Sequence, residues 1–348
     1  MADRVLFVLE SGGPGGLATQ ARGVAGELAA LGYDAEWCLL DGPVASNAEP
    51  GCGRRLPADP LALRRLRRAV RQAAPAIVHA WGPTAAAYGA WAAGSAKLVV
   101  TVGRAGAAEP AWARLIHRGW RRRADAIVAP SSEVADALGP EATVVPPGVP
   151  IAEAASAEAS REQLLAELRL PASARVIAIV SRMLPRKRVK ELVWCADLMR
   201  VLRDEVRVLV IGDGPQLPAL ARFARMASDL EHVRLLGERS DLPRLLGAAD
   251  VYWHAGDEQS PPLALLEAMA AGVPVVADQT PGASQTVVNN ETGLLVPLGG
   301  RAERARATER LLTEPDHAAQ LAANAQADIA KRYAIGRAAR DYAAMYQS

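Results

Sequence analysis

Cysteine is scarce in this chain. There are three, Cys38, Cys52 and Cys195, an odd number with no C-x-x-C pair. Neither a disulfide framework nor a structural zinc site is expected, and a reducing cytosol suits the composition. Long apolar runs are missing too: no stretch reaches the roughly 18 uninterrupted apolar residues of a spanning helix. The opening MADRVLFVLE enters a strand-like run without a basic segment or cleavage site, so no signal peptide is expected. An excess of one charge is also lacking. The formal balance is +2, and nothing global argues for nucleic acid as a partner. What is present is ordinary for a soluble globular protein, half the residues hydrophobic and 22% charged. At 348 residues the chain exceeds what one hydrophobic core usually supports, so two domains are expected.

Short apolar runs alternate with longer amphipathic, Ala- and Arg-rich stretches. In the first half, strands are predicted at 5–9, 35–40, 77–79, 98–102, 126–129 and 143–145. Helices are predicted at 16–31, 61–73, 84–93, 112–124 and 132–138. Pro146-Pro147-Gly148-Val149-Pro150 is the strongest punctuation and a natural boundary. After a helix at 160–168 the rhythm restarts, with strands at 176–180, 206–211, 233–236, 251–253 and 273–277. Strand then helix, repeated, reads as two α/β domains, each a doubly wound parallel sheet. Ligands of such sheets sit at the carboxyl ends of the strands, and the cleft between two facing sheets is the default site.

Three segments have the residue types for chemistry. Ser11-Gly12-Gly13-Pro14-Gly15-Gly16 follows the first strand and opens a helix, where backbone N–H groups can meet an anion. It is neither G-x-G-x-x-G nor a P-loop with its Lys-Ser/Thr, and a plain tight turn would look the same. Ser181–Lys187 leaves the first strand of the second half with Arg182 and Lys187, a planar fork and a point charge suited to phosphate oxygens. The alternative there is a solvated basic loop, which suits Arg186, Arg188 and Lys190. Finally, Glu267 lies in an otherwise apolar helix, 263–271, where a carboxylate is expensive to bury unless paired or bound. A ribose diol is a good partner for it; a solvated helix edge is the alternative.

The segment from Gln259 through Glu267-Ala-Met-Ala-Ala-Gly272-Val-Pro274-Val-Val resembles the signature of retaining GT-B glycosyltransferases of the family 4 type: Glu, seven residues, Glu, then A-M-A-x-G-x-P-V. Val180-Ser-Arg-Met-Leu-Pro-Arg-Lys187 resembles V-G-R-L-x-P-x-K, and Leu209-Val-Ile-Gly-Asp-Gly-Pro215 resembles L-x-I-x-G-x-G-P. Leu235-Leu-Gly with Leu245-Leu-Gly-Ala-Ala-Asp250-Val resembles the nucleotide-base strand and A-D-V segment. Asn290-Glu-Thr-Gly-Leu-Leu-Val-Pro297 resembles the G-x-T-G-L-L-V-P turn. The Gly-rich loop, Ile77-Val-His-Ala, Arg123-Ala-Asp-Ala-Ile-Val and Val144-Val-Pro-Pro-Gly-Val extend the likeness over nearly the whole chain. Tyr333–Tyr346 resembles the family's helix that crosses back to the first domain. That implies an acceptor-side domain of residues 1–150 plus about 334–348, and a donor-binding domain of 151–333.

The resemblance implies that Arg182 and Lys187 hold the donor diphosphate and offset charge on the leaving group, electrostatic work that positioned cations do without a metal. No D-x-D occurs in the sequence, which agrees with metal independence, and no cofactor is implied beyond the UDP-, GDP- or ADP-linked donor itself. Glu267 should bind the ribose, Leu263 and Leu266 lie near the nucleotide, and Gly15 and Gly16 approach the phosphates. Three departures alter the sugar side. The first signature Glu is replaced by Gln259, with Glu258 adjacent but out of register, and a neutral amide cannot act as a carboxylate. Pro261 and Pro262 remove backbone donors. The family's T-x-H reads Thr101-Val102-Gly103, so its histidine is replaced by Gly103; His79 survives as an acceptor-side candidate or as a packed strand-end histidine.

Arg64, Arg65, Arg67, Arg68 and Arg71 crowd one helix, and Arg118, Arg121, Arg122 and Arg123 extend another bearing Trp112, Leu115, Ile116 and Trp120. Such helices can lie on anionic membranes, though a core-facing stripe under a basic surface is the favoured reading. The expectation is a cytoplasmic glycosyltransferase acting on a saccharide, lipid-linked or small-molecule acceptor, with peripheral membrane contact left open. The competing class is a GT-B scaffold that keeps nucleotide or partner binding but has weak or no transfer. A sugar-nucleotide epimerase would need a carboxylate pair the sequence does not show, and a dinucleotide-dependent dehydrogenase lacks its fingerprint.

Overall fold

The eleven apolar runs predicted as strands, and one more, form two parallel sheets in a computed structural model of the chain. The structure describes residues 2–13, 15–42, 51–104, 119–151, 157–227 and 231–347. By its contacts the chain divides into two compact units, Met1–Gly148 with Ala334–Ser348, and Val149–Tyr333.

In the first unit the strands are β1 (Asp3–Leu9), β2 (Tyr33–Leu39), β3 (Ile77–Trp81), β4 (Lys97–Thr101), β5 (Ala126–Ala129) and β6 (Ala142–Val144), ordered β2-β1-β3-β4-β5-β6. Both faces of the sheet are covered. Leu6 and Val8 of β1 enter one core, Val5, Phe7 and Leu9 the other, the period-two alternation of a strand buried on both sides. The C-terminal helix Ile335–Gln347 belongs here: Ile335, Tyr342 and Tyr346 pack into the second of these cores beside the helix Gly16–Leu28. Tyr33 Oη donates to Ala343 O at 3.3 Å and Lys97 Nζ to Met345 O at 2.8 Å, fastening the helix to strand ends.

The Arg-rich helix Pro60–Ala73 is capped by Asp59, whose carboxylate accepts from Leu61 N and Ala62 N. Ala62, Leu66, Val70 and Ala73 point into the core while its arginines stay exposed, the favoured of the two readings. The second basic helix, expected at 112–124, lies largely outside the described residues; Trp120 is buried in the core. Among the described residues no helix is long and apolar enough to cross a membrane.

The second unit holds β7 (Arg175–Val180), β8 (Val206–Ile211), β9 (Val233–Gly237), β10 (Val251–His254), β11 (Val275–Asp278) and β12 (Leu294–Val296), in the order β12-β11-β10-β7-β8-β9. The three-residue β12 at the sheet edge is the strand the sequence pattern missed, because it falls inside the Asn290–Pro297 turn signal. Val208 and Val210 of β8 face one core and Leu209 and Ile211 the other. On one side a buried ion pair, Arg304 Nη2 to Asp278 Oδ1 at 2.5 Å, is backed by Arg304 Nη1 donating to Val276 O at 3.0 Å. Strand order reverses between β7 and β10, and a crevice at the carboxyl ends of these two strands is where such a sheet takes ligands.

Candidate functional site

Two loops meet at this reversal. The first, leaving β7, is pressed onto the turn after β8: Ser181 N donates to Ile211 O at 3.0 Å and Met183 N to Asp213 O at 2.9 Å. Only glycine fits at position 212. Its φ is +123°, and a Cβ there would lie 2.0 Å from the Ser181 carbonyl oxygen. Arg182 therefore leaves a backbone packed directly against the Gly212 turn. Its exposed guanidinium makes no hydrogen bond or ion pair among the described residues. Lys187 closes the 3-10 turn Pro185–Lys187 and is mostly buried.

The second loop leaves β10. Asp257 N donates to Arg186 O at 3.2 Å, tying the loops by their backbones, and Tyr252 Oη donates to Val180 O at 3.3 Å beneath them. Glu258 then turns inward, its side chain 11% exposed. Its Oε1 accepts from Lys187 Nζ, and its Oε2 lies 3.2 Å from His254 Nε2. Burial pushes this carboxyl up, but the hydrogen bonds and charges of His254 and Lys187 prevail and hold it at about 2.

Thus the residue set aside as out of register is the one that points at Lys187. No local pattern reveals this, since it depends on β10 lying next to β7. Gln259, aligned with the signature position, accepts at its carbonyl from Gln285 Nε2 at 3.3 Å. Pro261 and Pro262 are buried, and Pro262 O takes the Leu265 and Leu266 N–H groups, both at 3.0 Å, to start the helix Leu263–Ala270.

Glu267 sits on that helix with no hydrogen bond or ion pair to its carboxylate among the described residues. Burial alone pushes it up to about 7. Of its expected companions, Leu263 is partly buried at the edge of the core, whereas Leu266 is fully buried within it. Leu266 supports the helix from behind and offers no surface to a ligand.

The remaining candidates belong to the first unit. Gly15 caps the helix that Gly16 opens, and Thr19 N donates to Gly15 O at 2.9 Å. Gly103 lies just past β4 against Leu17, whose Cδ2 would be 3.0 Å from a Cβ there. His79 is 0% exposed. Its Nδ1 is 2.6 Å from Tyr346 Oη and its Nε2 2.8 Å from Thr101 Oγ1, and it stacks on Trp81. Burial drives its pKa down to about 3. This corrects the acceptor-side expectation: both ring nitrogens are engaged in the core, and none is left for a substrate. Among the described residues no group of three or more His, Cys, Asp or Glu is arranged to hold a metal ion.

Comparison with known proteins agrees with this architecture. A family model described as Glycosyl transferases group 1 matches residues 160–328, and one described as Glycosyltransferase Family 4 matches residues 14–153. A GDP-mannose-dependent alpha-(1-6)-phosphatidylinositol monomannoside mannosyltransferase of Mycobacterium tuberculosis is 34% identical over 203 residues, covering 55% of this chain and 52% of that protein. A D-inositol 3-phosphate glycosyltransferase of Salinispora tropica is 34% identical over 219 residues, covering 58% and 45%. The matched stretch thus spans about half the length of these curated relatives. Among solved structures, Anabaena Alr3699/HepE in complex with UDP-glucose superposes with a TM-score of 0.84 at 21% identity over 99% of both chains, a likeness of fold. With both halves matched and two doubly wound parallel sheets in place, the chain belongs to the family 4-type glycosyltransferases of the GT-B fold.

Proposed function

We propose that the protein transfers a hexosyl group from a nucleotide-diphosphate sugar to an acceptor hydroxyl, with retention at the anomeric carbon and without a metal. One observation carries the reading. An unpartnered guanidinium, Arg182, and an unpaired, desolvated carboxylate, Glu267, follow two adjacent strands at the reversal of a doubly wound sheet. A diphosphate supplies the anion that Arg182 lacks, with Lys187 on the same loop as a second cation, and a ribose diol supplies the two donors that Glu267 lacks. As the bond to the sugar breaks, negative charge gathers on the departing diphosphate. Fixed cations there stabilise the transition state more than the ground state. Gln259 is assigned to the sugar hydroxyls. The acceptor is a saccharide, a lipid-linked sugar or a small alcohol.

The relative named as a GDP-mannose-dependent mannosyltransferase and the solved UDP-glucose complex support a nucleotide-sugar donor. Calorimetric titration with UDP, GDP and ADP, then with their sugar conjugates in metal-free buffer, tests it. One nucleotide should bind, and its sugar conjugate should be consumed once an acceptor is supplied. Absence of binding by all three would favour the non-catalytic scaffold.

A further inference from the structure

The Lys187–Glu258–His254 cluster does something the donor reading does not require. Glu258 is seated from all sides. Its carbonyl accepts from Gly282 N at 2.8 Å, and its carboxylate folds back over Gly256, where a Cβ would come within 2.5 Å of Oε1. Gly256 has φ +143°, a backbone conformation strained for any residue with a side chain. Beside it the His254 side chain is 5% exposed and that of Lys187 19%. The partly buried lysine assigned to the diphosphate is therefore already paired with a carboxylate, while Arg182, on the same loop, is not.

We propose that Glu258, seated by His254, is an internal counter-anion of Lys187 that the donor diphosphate must displace, so that Lys187 is yielded only to a strongly competing anion. The proposal rests on the donor-site reading above. Removing a buried lysine from a carboxylate is unfavourable unless another anion replaces it at once. A diphosphate oxygen does so, and the displaced carboxylate keeps its hydrogen bond to His254 Nε2. A weakly charged anion cannot compete, so the exchange favours diphosphates over ordinary monoanions. His254 is a positioning residue in this scheme: it acts on the ligand only through Glu258.

Isothermal titration of the full chain with the nucleoside diphosphate found for the wild type, and with inorganic pyrophosphate, tests the exchange. Glu258→Gln should bind both about tenfold tighter, toward the lower end of what one charge-assisted hydrogen bond contributes. His254→Leu should bind about threefold weaker, since Glu258 then has Lys187 alone. His254→Gln, which keeps an N–H donor, should restore affinity. The Glu258→Gln gain should vanish in a Lys187→Ala background, as a double-mutant cycle requires of a direct pair. A Glu258→Gln variant of unchanged or weakened diphosphate affinity overturns the proposal. If only the sugar conjugate weakens, the carboxylate holds the sugar and not Lys187. Should no diphosphate bind the wild type, the donor reading falls too. That outcome is distinct from one in which wild-type binding depends on Lys187 but ignores Glu258.

Discussion

Replacing Glu267 by glutamine should stabilise the unliganded protein, and only above mildly acidic pH. Burial raises this carboxyl from 4.5 to about 7, with no compensating partner. Below pH 4.5 the group is protonated in both the folded and unfolded chain, and nothing is lost on folding. Between 4.5 and about 7 the unfolded chain releases the proton while the folded protein retains it, so stability falls as pH rises. Above 7 the folded protein carries the buried charge, and the full penalty is reached. A rise from 4.5 to about 7 corresponds to about 3 kcal/mol. Glutamine has the same shape and no charge to desolvate. The difference between variant and wild type in denaturant midpoint, converted with the common m-value, should therefore grow from near zero at pH 4.5 to about 3 kcal/mol at pH 8. All other titrating groups are shared and cancel in the difference. A difference that stays flat across this range would refute the claim that Glu267 is a desolvated, unpaired carboxylate.

Arg182→Ala and Lys187→Ala should each weaken nucleoside diphosphate binding by about ten- to a hundredfold in calorimetry, the contribution of one hydrogen bond to a charged group. Affinity for a nucleotide sugar, whose diphosphate has no terminal monoester to titrate, should rise about tenfold from pH 6 to pH 8 as Glu267 ionises, and Glu267→Gln should abolish that rise; both follow from binding to the ionised fraction alone. Gly212→Ala should unfold at markedly lower denaturant and lose diphosphate binding, because the new Cβ meets a backbone oxygen that only a shift of the Arg182 loop can clear. Asp278→Ala should lower stability by about 3–5 kcal/mol in urea melts, since it strands the buried Arg304 charge.

Much of the second unit was legible because its signals are local. Apolar runs such as Val176–Val180 and Val206–Ile211 can bury both faces only between helices, and each is a central strand. Gly272, with φ +73°, ends the helix that carries Glu267, as a glycine after an apolar helix should. Glu267 was readable as an uncomfortable carboxylate because it is unusual in an apolar segment, whereas Arg182, in a basic loop, stood out only by its place at a strand end. Leu266, placed near the nucleotide by resemblance, is buried in the core, which only the packing of its helix could decide.

His79 and Glu258 show the limit from opposite directions. A histidine ending a strand reads the same whether it faces a substrate or a neighbouring helix. What decides is Tyr346, 267 residues away in sequence and 2.6 Å away in space. Glu258 stood one place from the signature position and could be judged only by register. Its meeting with Lys187 arises because β10 pairs with β7 and brings together loops 71 residues apart. By itself, the sequence determined the strand–helix alternation, the two doubly wound halves and the identity of the residues that cannot rest unpaired. Tertiary structure alone decided which of them are paired, since burial and Coulomb energy depend on neighbours that strand order supplies and chain order does not.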